Sequence, residues 1–492
     1  MKILMVSAEC VPFAKTGGLA DAVAALSRSF SSLGHDVKIV MPRYYKIDRK
    51  KLTQIPGALG VAAGQIEAWV GLYETKLPDS NVSVYFLDHE QAFGRDGVYG
   101  TKTESDFHDN PYRFSLLAHG AFQVCRKLNW KPDIVHAHDW SASLAPVILK
   151  HIVRHDFFAK TASVLTIHNL GYQGQYSKDS FPALGIDWNL YYGAGFEHNG
   201  GINFLQAGVS SCDMITTVSP TYAREIQTAE GGFGMDGLLR VRQDVIRGIV
   251  NGVDIDVWNP KTDKLLPANF DATSLENKIV CKRALQKKFG LPINDAIPII
   301  AMITRLVDQK GVAEVFAPTY GCLYRLCTTM NVQFVLLGSG ESWCENEIQT
   351  LASKLPNMRA IIGYDETLSH LIEAGSDFFL MPSHYEPCGL NQMYSLLYGT
   401  LPIVRNTGGL ADTVQNYNEQ TGEGTGFMFN AITPDAVYDT CGWAVFAYYN
   451  KKEHIKKMQE RGMKKDFSWK KSANEYIEVY KEALLRGCGI KN

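Results

Sequence analysis

The chain has 492 residues and a formal net charge of −2, from 49 Lys and Arg against 51 Asp and Glu. At roughly 150 residues per domain the length allows about three domains, and the near-neutral charge argues against an electrostatic nucleic-acid binder, which usually carries a basic surplus. Hydrophobic residues make up 46% and charged residues 20%, proportions that exclude a disordered chain.

The ten cysteines are scattered, and no two have the two-residue spacing of a zinc or thioredoxin pair. This distribution is typical of buried thiols in a reducing compartment. The N-terminal apolar run breaks at Ser7 and Glu9, which is early for a signal peptide, and no stretch approaches the ~18 apolar residues of a membrane span. We therefore expect a cytoplasmic protein with no membrane partner.

Short apolar runs rich in Val and Ile alternate with longer amphipathic stretches, a pattern that predicts βαβ units and doubly wound parallel sheets. The first set of predicted strands covers residues 3–6, 37–41, 82–87, 134–137, 163–167 and 214–218. The second set covers residues 299–303, 333–337, 359–362, 378–381, 402–404 and 426–429. Helices are predicted at residues 19–33, 142–155, 368–374 and 390–398.

A polar stretch at roughly residues 250–295, which includes a Lys-rich helical pattern, separates the two strand sets. We therefore predict a first domain at residues 1–255 and a second at residues 256–465. The remaining segment, at about residues 466–492, has a helical pattern with no strand after it.

A short repeat relates the two predicted domains. The sequence Thr-Gly-Gly-Leu-Ala-Asp occurs at residues 16–21 and again at residues 407–412, each time between a predicted strand and a helical stretch. The two copies are interpreted either as tight turns or as backbone nests at helix N-termini that suit sugar or phosphate oxygens. In doubly wound domains such turns lie at the carboxyl ends of strands, facing a shared cleft.

Three cations follow predicted strands. Lys15 precedes the first glycine turn, and Arg305 and Lys310 follow the strand at residues 299–303. Fixed cations that converge on one point would stabilise the charge that a diphosphate leaving group gains as its bond to a sugar breaks. The alternative is that they are solvated loop residues.

Two further strand-to-helix loops carry candidate binding groups. Gly338 belongs to a Gly-Ser-Gly sequence that lacks the third glycine of a dinucleotide fingerprint, so it is weak evidence by itself. Glu386 precedes a Pro-Cys-Gly turn and a helix. Its carboxylate would bind sugar hydroxyls while the amides of Gly389 and Leu390 face a phosphate.

His136, His138 and Asp139 resemble a set of metal ligands, but the two histidines would share one strand face and Asp139 would point to the other. We therefore predict no metal site. Asp139, at a strand end, is better placed to contact sugar hydroxyls. His168 follows a second strand, where a lone histidine is more often structural, but a position that faces the cleft favours a role in the site. The Asp-Ile-Asp sequence at residues 254–256 matches a metal signature that is common by chance.

Together these motifs resemble the family of bacterial glycogen synthases and plant starch synthases, which are retaining GT-B glycosyltransferases. The resemblance implies an α/β fold with two Rossmann-like doubly wound domains facing a deep cleft and a C-terminal helix that crosses back to the first domain. The matching motifs follow the family order and lie at residues 15–21, 136–140, 217–220, 251–254, 305–310, 386–390 and 407–412.

The resemblance implies transfer of glucose from ADP-glucose to the non-reducing end of an α-1,4-glucan, with retention of configuration and without a metal or another cofactor. UDP-glucose is the alternative donor. A phosphorylase would need pyridoxal phosphate, and a dehydrogenase would need a complete GxGxxG sequence. A non-catalytic glucan-binding protein would leave the combination of Arg305, Lys310 and Glu386 unexplained. Oligomeric state is not predicted.

By position, the resemblance also implies the site residues. Lys15, Arg305 and Lys310 would hold the diphosphate, with His168 and Glu386 completing the catalytic group. The substrate-binding set would comprise Gly17, Gly18, Asp21, Asp139, Asn251, Gly338, Tyr364, Cys388, Gly389, Leu390, Thr407, Gly408 and Gly409.

Two of these expectations concern the nucleotide. Tyr364 would stack on adenine. The sequence departs from the family pattern before Glu386, where the common Arg-Phe is replaced by His384 and Tyr385. The replacement removes a permanent cation, which makes the nucleotide preference less predictable.

Overall fold

A computed structural model describes residues 1–64, 66–101 and 103–487. The chain forms two compact units: the first combines Met1–Gly252 with the segment that begins at Trp469, and the second covers Val253–Ser468. Among the described residues, no helix has both the length and the apolar character needed to cross a membrane.

The first unit contains a nine-stranded sheet and a separate three-stranded sheet. The twelve strands are β1 (Lys2–Val6), β2 (Asp36–Pro42), β3 (Thr53–Ala63), β4 (Ile66–Lys76), β5 (Ser83–Asp88), β6 (Ile134–His138), β7 (Ala162–Ile167), β8 (Gln175–Tyr176), β9 (Glu197–His198), β10 (Gly201–Asn203), β11 (Met214–Thr217) and β12 (Ile246–Gly248).

The large sheet has the order β12-β11-β7-β6-β1-β2-β5-β4-β3, and the small one has the order β8-β10-β9. Only β3 and β4 break the parallel pairing of the large sheet, as an antiparallel hairpin added next to β5. The parallel strands from β5 to β11 follow the Rossmann order, in which the direction of winding reverses between β1 and β6. Ligands of such sheets bind at the carboxyl ends of these two strands.

The α-helices of the first unit that precede the second are α1 (Gly18–Ser32), α2 (Glu90–Phe93), α3 (Asn110–Lys127), α4 (Asp139–Ala142), α5 (Leu144–Ile148), α6 (Leu190–Gly193), α7 (Phe204–Ser211), α8 (Pro220–Glu225) and α9 (Asp236–Val241). Short 3₁₀ turns lie at Arg49–Lys51, Asp156–Phe158, Lys178–Leu184 and Gln243–Val245.

The second unit has a six-stranded parallel sheet with the order β15-β14-β13-β16-β17-β18. Its strands are β13 (Ile299–Leu306), β14 (Gln333–Gly340), β15 (Met358–Ile362), β16 (Phe378–Met381), β17 (Leu401–Arg405) and β18 (Phe427–Phe429). The winding direction reverses between β13 and β16, again as in a Rossmann fold.

The helices of the second unit are α10 (Lys278–Phe289), α11 (Val312–Phe316), α12 (Leu323–Thr329), α13 (Ser342–Lys354), α14 (Glu366–Gly375), α15 (Asn391–Leu397), α16 (Gly408–Thr413), α17 (Pro434–Asn450) and α18 (Lys452–Met463), with a 3₁₀ turn at Asp308–Lys310. The last helix, α19 (Trp469–Gly487), belongs to the first unit.

One predicted helix is wrong in its extent. Instead of a continuous helix over residues 142–155, the chain forms α4, then α5, and then a π-helical turn at Leu149–Val153. The break has a local cause, because Pro146 has no N–H to donate to the carbonyl of Ala142. The hairpin of β3 and β4 was not predicted. The Gly- and Ala-rich sequence of β3 has low strand propensity.

The helix α19 is held to the first sheet by a buried polar network. The Tyr480 hydroxyl lies 2.7 Å from Nδ1 of His136, and Nε2 of His136 lies 2.6 Å from the Thr166 hydroxyl. Burial lowers the pKa of His136 to about 3, so the imidazole is neutral. At the helix ends, Ser472 donates to the Val250 carbonyl and Glu482 pairs with Arg247.

Removing the Tyr480 hydroxyl should therefore destabilise the first unit. We expect Tyr480→Phe to lower the free energy of unfolding by about 1–3 kcal/mol, because Nδ1 of His136 loses its partner in a buried position. Urea unfolding measures this change. The control Tyr45→Phe, at a side chain that is 64% exposed, should cost less than about 0.5 kcal/mol; equal costs would contradict the role of the network.

Candidate functional site

A cavity of about 300 Å³ lies at the carboxyl ends of β13, β14, β15 and β16 in the second unit. This is where the winding of the sheet reverses, the usual ligand position in a Rossmann fold. The sequence-predicted residues in its wall are Arg305, Lys310, Gly338, Tyr364, Glu386, Gly389 and Leu390.

An ion pair between Lys310 and Glu386 forms one wall of the cavity. Nζ of Lys310 lies 2.5 Å from Oε2 of Glu386, and the Ser383 hydroxyl donates to the same oxygen at 3.0 Å. The side chains of Lys310 and Glu386 are only 18% and 8% exposed. The exposed Arg305 side chain supplies a second cation to the wall. Because Glu386 offsets the charge of Lys310, the three side chains together are positive, and the cavity suits an anionic ligand.

Gly311 explains how Lys310 reaches this position. It ends the Asp308–Lys310 turn with φ of +67°, a left-handed conformation that favours glycine. A Cβ atom at Gly311 would lie 1.9 Å from the carbonyl oxygen of Pro382. The turn that carries Lys310 is therefore packed directly on the chain that leaves β16.

Gly338, on β14, and Tyr364, in the loop after β15, also line the cavity. A Cβ atom at Gly338 would lie 2.2 Å from the Thr304 carbonyl oxygen, so crowding between β13 and β14 explains this glycine without a dinucleotide. Gly363 donates its N–H to the Gly338 carbonyl at 2.9 Å. The Tyr364 side chain that follows is 76% exposed and lines the cavity.

The second copy of the repeat supports the Glu386 loop, which we define as residues 382–390. Gly409 donates its N–H to the Glu386 carbonyl at 3.0 Å. A Cβ atom at Gly408, where φ is +44°, would lie 1.9 Å from that carbonyl, and one at Gly409 would lie 2.0 Å from the Cys388 carbonyl. Thr407 and Cys388 are themselves buried. Gly408 and Gly409, which were predicted to bind substrate, therefore pack against the backbone of the loop.

The first copy of the repeat is organised by a buried carboxylate that the sequence analysis missed. Glu9 accepts hydrogen bonds from the backbone N–H of Thr16, from the Thr16 hydroxyl at 2.7 Å and from the Gly17 N–H at 3.4 Å. The Tyr99 hydroxyl also donates to it, at 2.8 Å. The available signal was an acidic residue three positions after the end of β1.

The space around the first copy differs from that around the second. Gly17 has an extended backbone, with φ of −155°, and a Cβ atom built on it would meet nothing within 4 Å. Gly18 begins α1. Lys15 lies 2.8 Å from Asp21 on the surface of the turn, so Asp21 partly neutralises this predicted phosphate ligand.

Asp139 and His168 are brought together at the ends of β6 and β7. Asp139 has φ of +56°, a conformation that is strained for a non-glycine residue. Its Oδ1 accepts the N–H of His168 at 2.6 Å and that of Asn169 at 3.3 Å. Burial outweighs these bonds and raises the pKa of Asp139 to about 7, while burial lowers that of His168 to about 3. Asn251 follows β12.

The histidines of the His-Ala-His sequence bind protein atoms. His136 uses both ring nitrogens in the network with Tyr480 and Thr166, and Nδ1 of His138 lies 3.1 Å from Nε2 of His168. Within the described part of the chain, no three His, Cys, Asp or Glu side chains are grouped to hold a metal ion.

Comparisons with known proteins identify the family. Residues 2–241 match the family model described as starch synthase catalytic domain, and residues 285–440 match glycosyl transferases group 1. A glycogen synthase from Treponema denticola is 61% identical over 484 residues, which span 98% of this chain and 99% of that protein. The chain belongs to the glycogen and starch synthase family.

Other members of the glycogen and starch synthase family match over the same length. Glycogen synthase 1 from Geobacter metallireducens is 44% identical over 100% of this chain and 98% of its own. The catalytic domain of starch synthase IV from Arabidopsis thaliana, bound to ADP and acarbose, has a TM-score of 0.87 at 32% identity, over 98% of this chain and 99% of that one. These matches confirm the predicted family, the GT-B fold class and the class of enzyme, a glycosyltransferase.

The two copies of the repeat allow a matched test in this family member. Gly408→Ala should lower the free energy of unfolding by about 2–4 kcal/mol, because its Cβ meets the Glu386 carbonyl in a left-handed conformation. The equivalent Gly17→Ala should stay within about 0.5 kcal/mol of the wild type and lower glucosyl transfer instead. Thermal unfolding and activity assays measure the two effects. Equal destabilisation by the two substitutions would contradict the inference that only Gly408 is required for packing.

Asp139 should impose a pH dependence on catalysis. Because its pKa is raised to about 7, it loses its charge on acidification through pH 7 rather than near pH 4. We expect kcat/KM of the wild type to rise with pH up to about 7 if the carboxylate binds a sugar hydroxyl. Asp139→Asn should have a lower kcat/KM that lacks this rise; an unchanged pH profile would refute the assignment.

Proposed function

We propose that this glycosyltransferase moves glucose from ADP-glucose to the non-reducing end of an α-1,4-glucan and retains the anomeric configuration. The observation that carries the proposal is the cavity in which Arg305 and the Lys310–Glu386 pair lie together at the point where the second sheet reverses its winding. The starch synthase IV relative, which was solved with ADP bound, supports an adenine nucleotide.

The two cations are proposed to stabilise the departing diphosphate. Negative charge grows on its oxygens as the bond to C1 of glucose breaks, and fixed cations in a partly enclosed site stabilise that charge without reorganising. Glu386 holds Lys310 at the cavity wall before the ligand binds. The exposed ring of Tyr364 is proposed to stack on the base, where a purine would cover more of it than a pyrimidine.

Glu386 is proposed to bind sugar hydroxyls and not to attack C1. A double displacement needs a carboxylate nucleophile beside the anomeric carbon, whereas Oε2 of Glu386 already accepts bonds from Lys310 and Ser383. We therefore favour substitution on the front face. The bond from C1 to the diphosphate breaks, the bond from C1 to the glucan hydroxyl oxygen forms, and the hydroxyl proton passes to the departing diphosphate.

The donor is tested by offering ADP-glucose and UDP-glucose separately to the whole chain with glycogen present. Nucleotide release and glucan growth are measured together, and NMR of the product reports the new linkage. We expect ADP release matched by growth of α-1,4-linked chains. Faster transfer from UDP-glucose would overturn the donor assignment, and nucleotide release without growth would overturn the transfer.

Lys310→Gln should reduce kcat/KM for the donor by about 10²–10³-fold, because it removes one of the cations proposed to face the leaving group. Steady-state kinetics with varied ADP-glucose measures the change. Lys46→Gln is a suitable control, since that side chain is 81% exposed in the first unit. Near-wild-type kinetics of Lys310→Gln would refute the role of Lys310.

We also propose a cytoplasmic setting. Nine cysteines in the described ranges are buried thiols rather than disulfides. Buried thiols persist in reducing compartments, so these cysteines support the proposal.

A further inference from the structure

His138 contacts the side chain of His168, a predicted member of the catalytic group. His138 is the last residue of β6 and is only 1% exposed. Its Nδ1 lies 3.1 Å from Nε2 of His168, which follows β7. The next residue, Asp139, accepts the backbone N–H of His168. Consecutive residues at the end of β6 therefore hold both the ring and the backbone of His168.

The two remaining ring nitrogens have different surroundings. Nε2 of His138 is buried and forms no hydrogen bond with any described residue. Nδ1 of His168 has no hydrogen-bond partner in the described ranges either, but it is not a buried atom, and His168 as a whole is only half-buried. Nδ1 of His168 is therefore the ring nitrogen that a ligand can reach.

The neighbouring ring of His136 packs on His138 without binding its nitrogens. The centroids of the two rings are 4.1 Å apart, and their planes differ by 36°. Both nitrogens of His136 already have partners, the Tyr480 hydroxyl at Nδ1 and the Thr166 hydroxyl at Nε2. His136 therefore restricts the orientation of the His138 ring but has no free nitrogen to bond to it.

The contact between His138 and His168 holds a single proton. Two N–H groups cannot face each other at 3.1 Å and two lone pairs would repel, so one nitrogen donates to the other. Burial lowers the pKa of His168 to about 3 and that of His138 well below its usual value. Each ring is therefore neutral and carries one proton, on one of its two nitrogens.

The buried Nε2 of His138 decides which ring donates. If His168 donated, His138 would carry its own proton on Nε2, and a buried N–H would have no acceptor. If His138 donates from Nδ1, only a lone pair is left without a partner at that position. Buried N–H groups without an acceptor are the rarer of the two in proteins, so the geometry favours donation from His138 to His168.

We propose that His138 is a positioning residue that fixes His168 in the tautomer with its proton on Nδ1, so that His168 presents an N–H donor to an oxygen atom of the bound sugar nucleotide. The hydrogen bond at one ring nitrogen determines which nitrogen carries the proton. Because Nε2 of His168 accepts from His138, its proton lies on the accessible Nδ1. The proposal rests on the proposed function, because it takes a sugar nucleotide as the ligand.

The tautomer is measured by ¹⁵N NMR of the full chain labelled at its histidines, since the two ring nitrogens give different signals when protonated and when bare. The signals of His168 are identified by their loss in His168→Gln. We expect a proton on Nδ1 of His168 in the wild type and in His138→Asn, whose side-chain amide can donate from nearly the same position. In His138→Phe, which has no donor, we expect both tautomers.

Kinetics with ADP-glucose show whether His138 acts through His168. We expect His138→Phe to lower kcat/KM by about 10-fold, because one directed hydrogen bond to the ligand is lost, and His138→Asn to recover most of the loss. In the His168→Ala background there is no imidazole to orient, so His138→Phe should change kcat/KM by less than about twofold. His108→Phe, at a side chain that is 88% exposed in the first unit, is the control and should change kcat/KM in neither background.

A wild-type His168 that carries its proton on Nε2 would overturn the proposal, and this measurement does not require any variant to fold. Equal losses of kcat/KM from His138→Phe in both backgrounds would also overturn it, because His138 would then support the fold rather than orient His168. A wild-type chain whose His168 is protonated on Nδ1 but which transfers no glucose would refute the proposed function alone and support the tautomer assignment.

Discussion

The candidate site depends on one ion pair, between Lys310 and Glu386. Nζ of Lys310 and Oε2 of Glu386 lie 2.5 Å apart in a partly enclosed cavity, where an unpaired charge would be costly. Each partner is held by its own surroundings. Gly311 lets the turn that carries Lys310 pack on the chain leaving β16, and the backbone of Gly408 and Gly409 fits against the Glu386 loop. The loops that follow β13 and β16 therefore place a cation and a carboxylate next to each other.

The repeated Thr-Gly-Gly-Leu-Ala-Asp sequence has a different structural role in each of the two units. In the second unit its glycines are required by close contact with a neighbouring carbonyl. In the first unit the turn is organised by the carboxylate of Glu9, and Gly17 faces open space. Identical local sequence thus begins a helix in both units but with different backbone geometry, since φ is −155° at Gly17 and +44° at the equivalent Gly408. The surroundings decide whether the missing side chain serves packing or leaves room for a ligand.

The sequence was sufficient to predict the described parallel strands except β12, because a strand buried on both faces is a continuous apolar run. The three-residue β12 is too short to give such a run. Arg305, Lys310 and Glu386 follow predicted strands in the sequence. Because ligands of such sheets bind where the strands end, this position identified them as candidate site residues. The sequence did not predict the pairing of Lys310 with Glu386, which are 76 residues apart, or the bond from Tyr99 to Glu9, which spans 90 residues. Side-chain partners so distant in sequence have no local pattern. The contact between His138 and His168, which are 30 residues apart, was missed for the same reason.

A crystal structure of the full chain with bound ADP would show directly whether Arg305 and Lys310 bind the diphosphate. We expect the diphosphate to lie against Arg305 and Lys310, with Glu386 still within hydrogen-bonding distance of Lys310 and the adenine ring on the face of Tyr364. A diphosphate bound elsewhere on the second unit, or one that leaves both Arg305 and Lys310 without contact, would contradict this expectation.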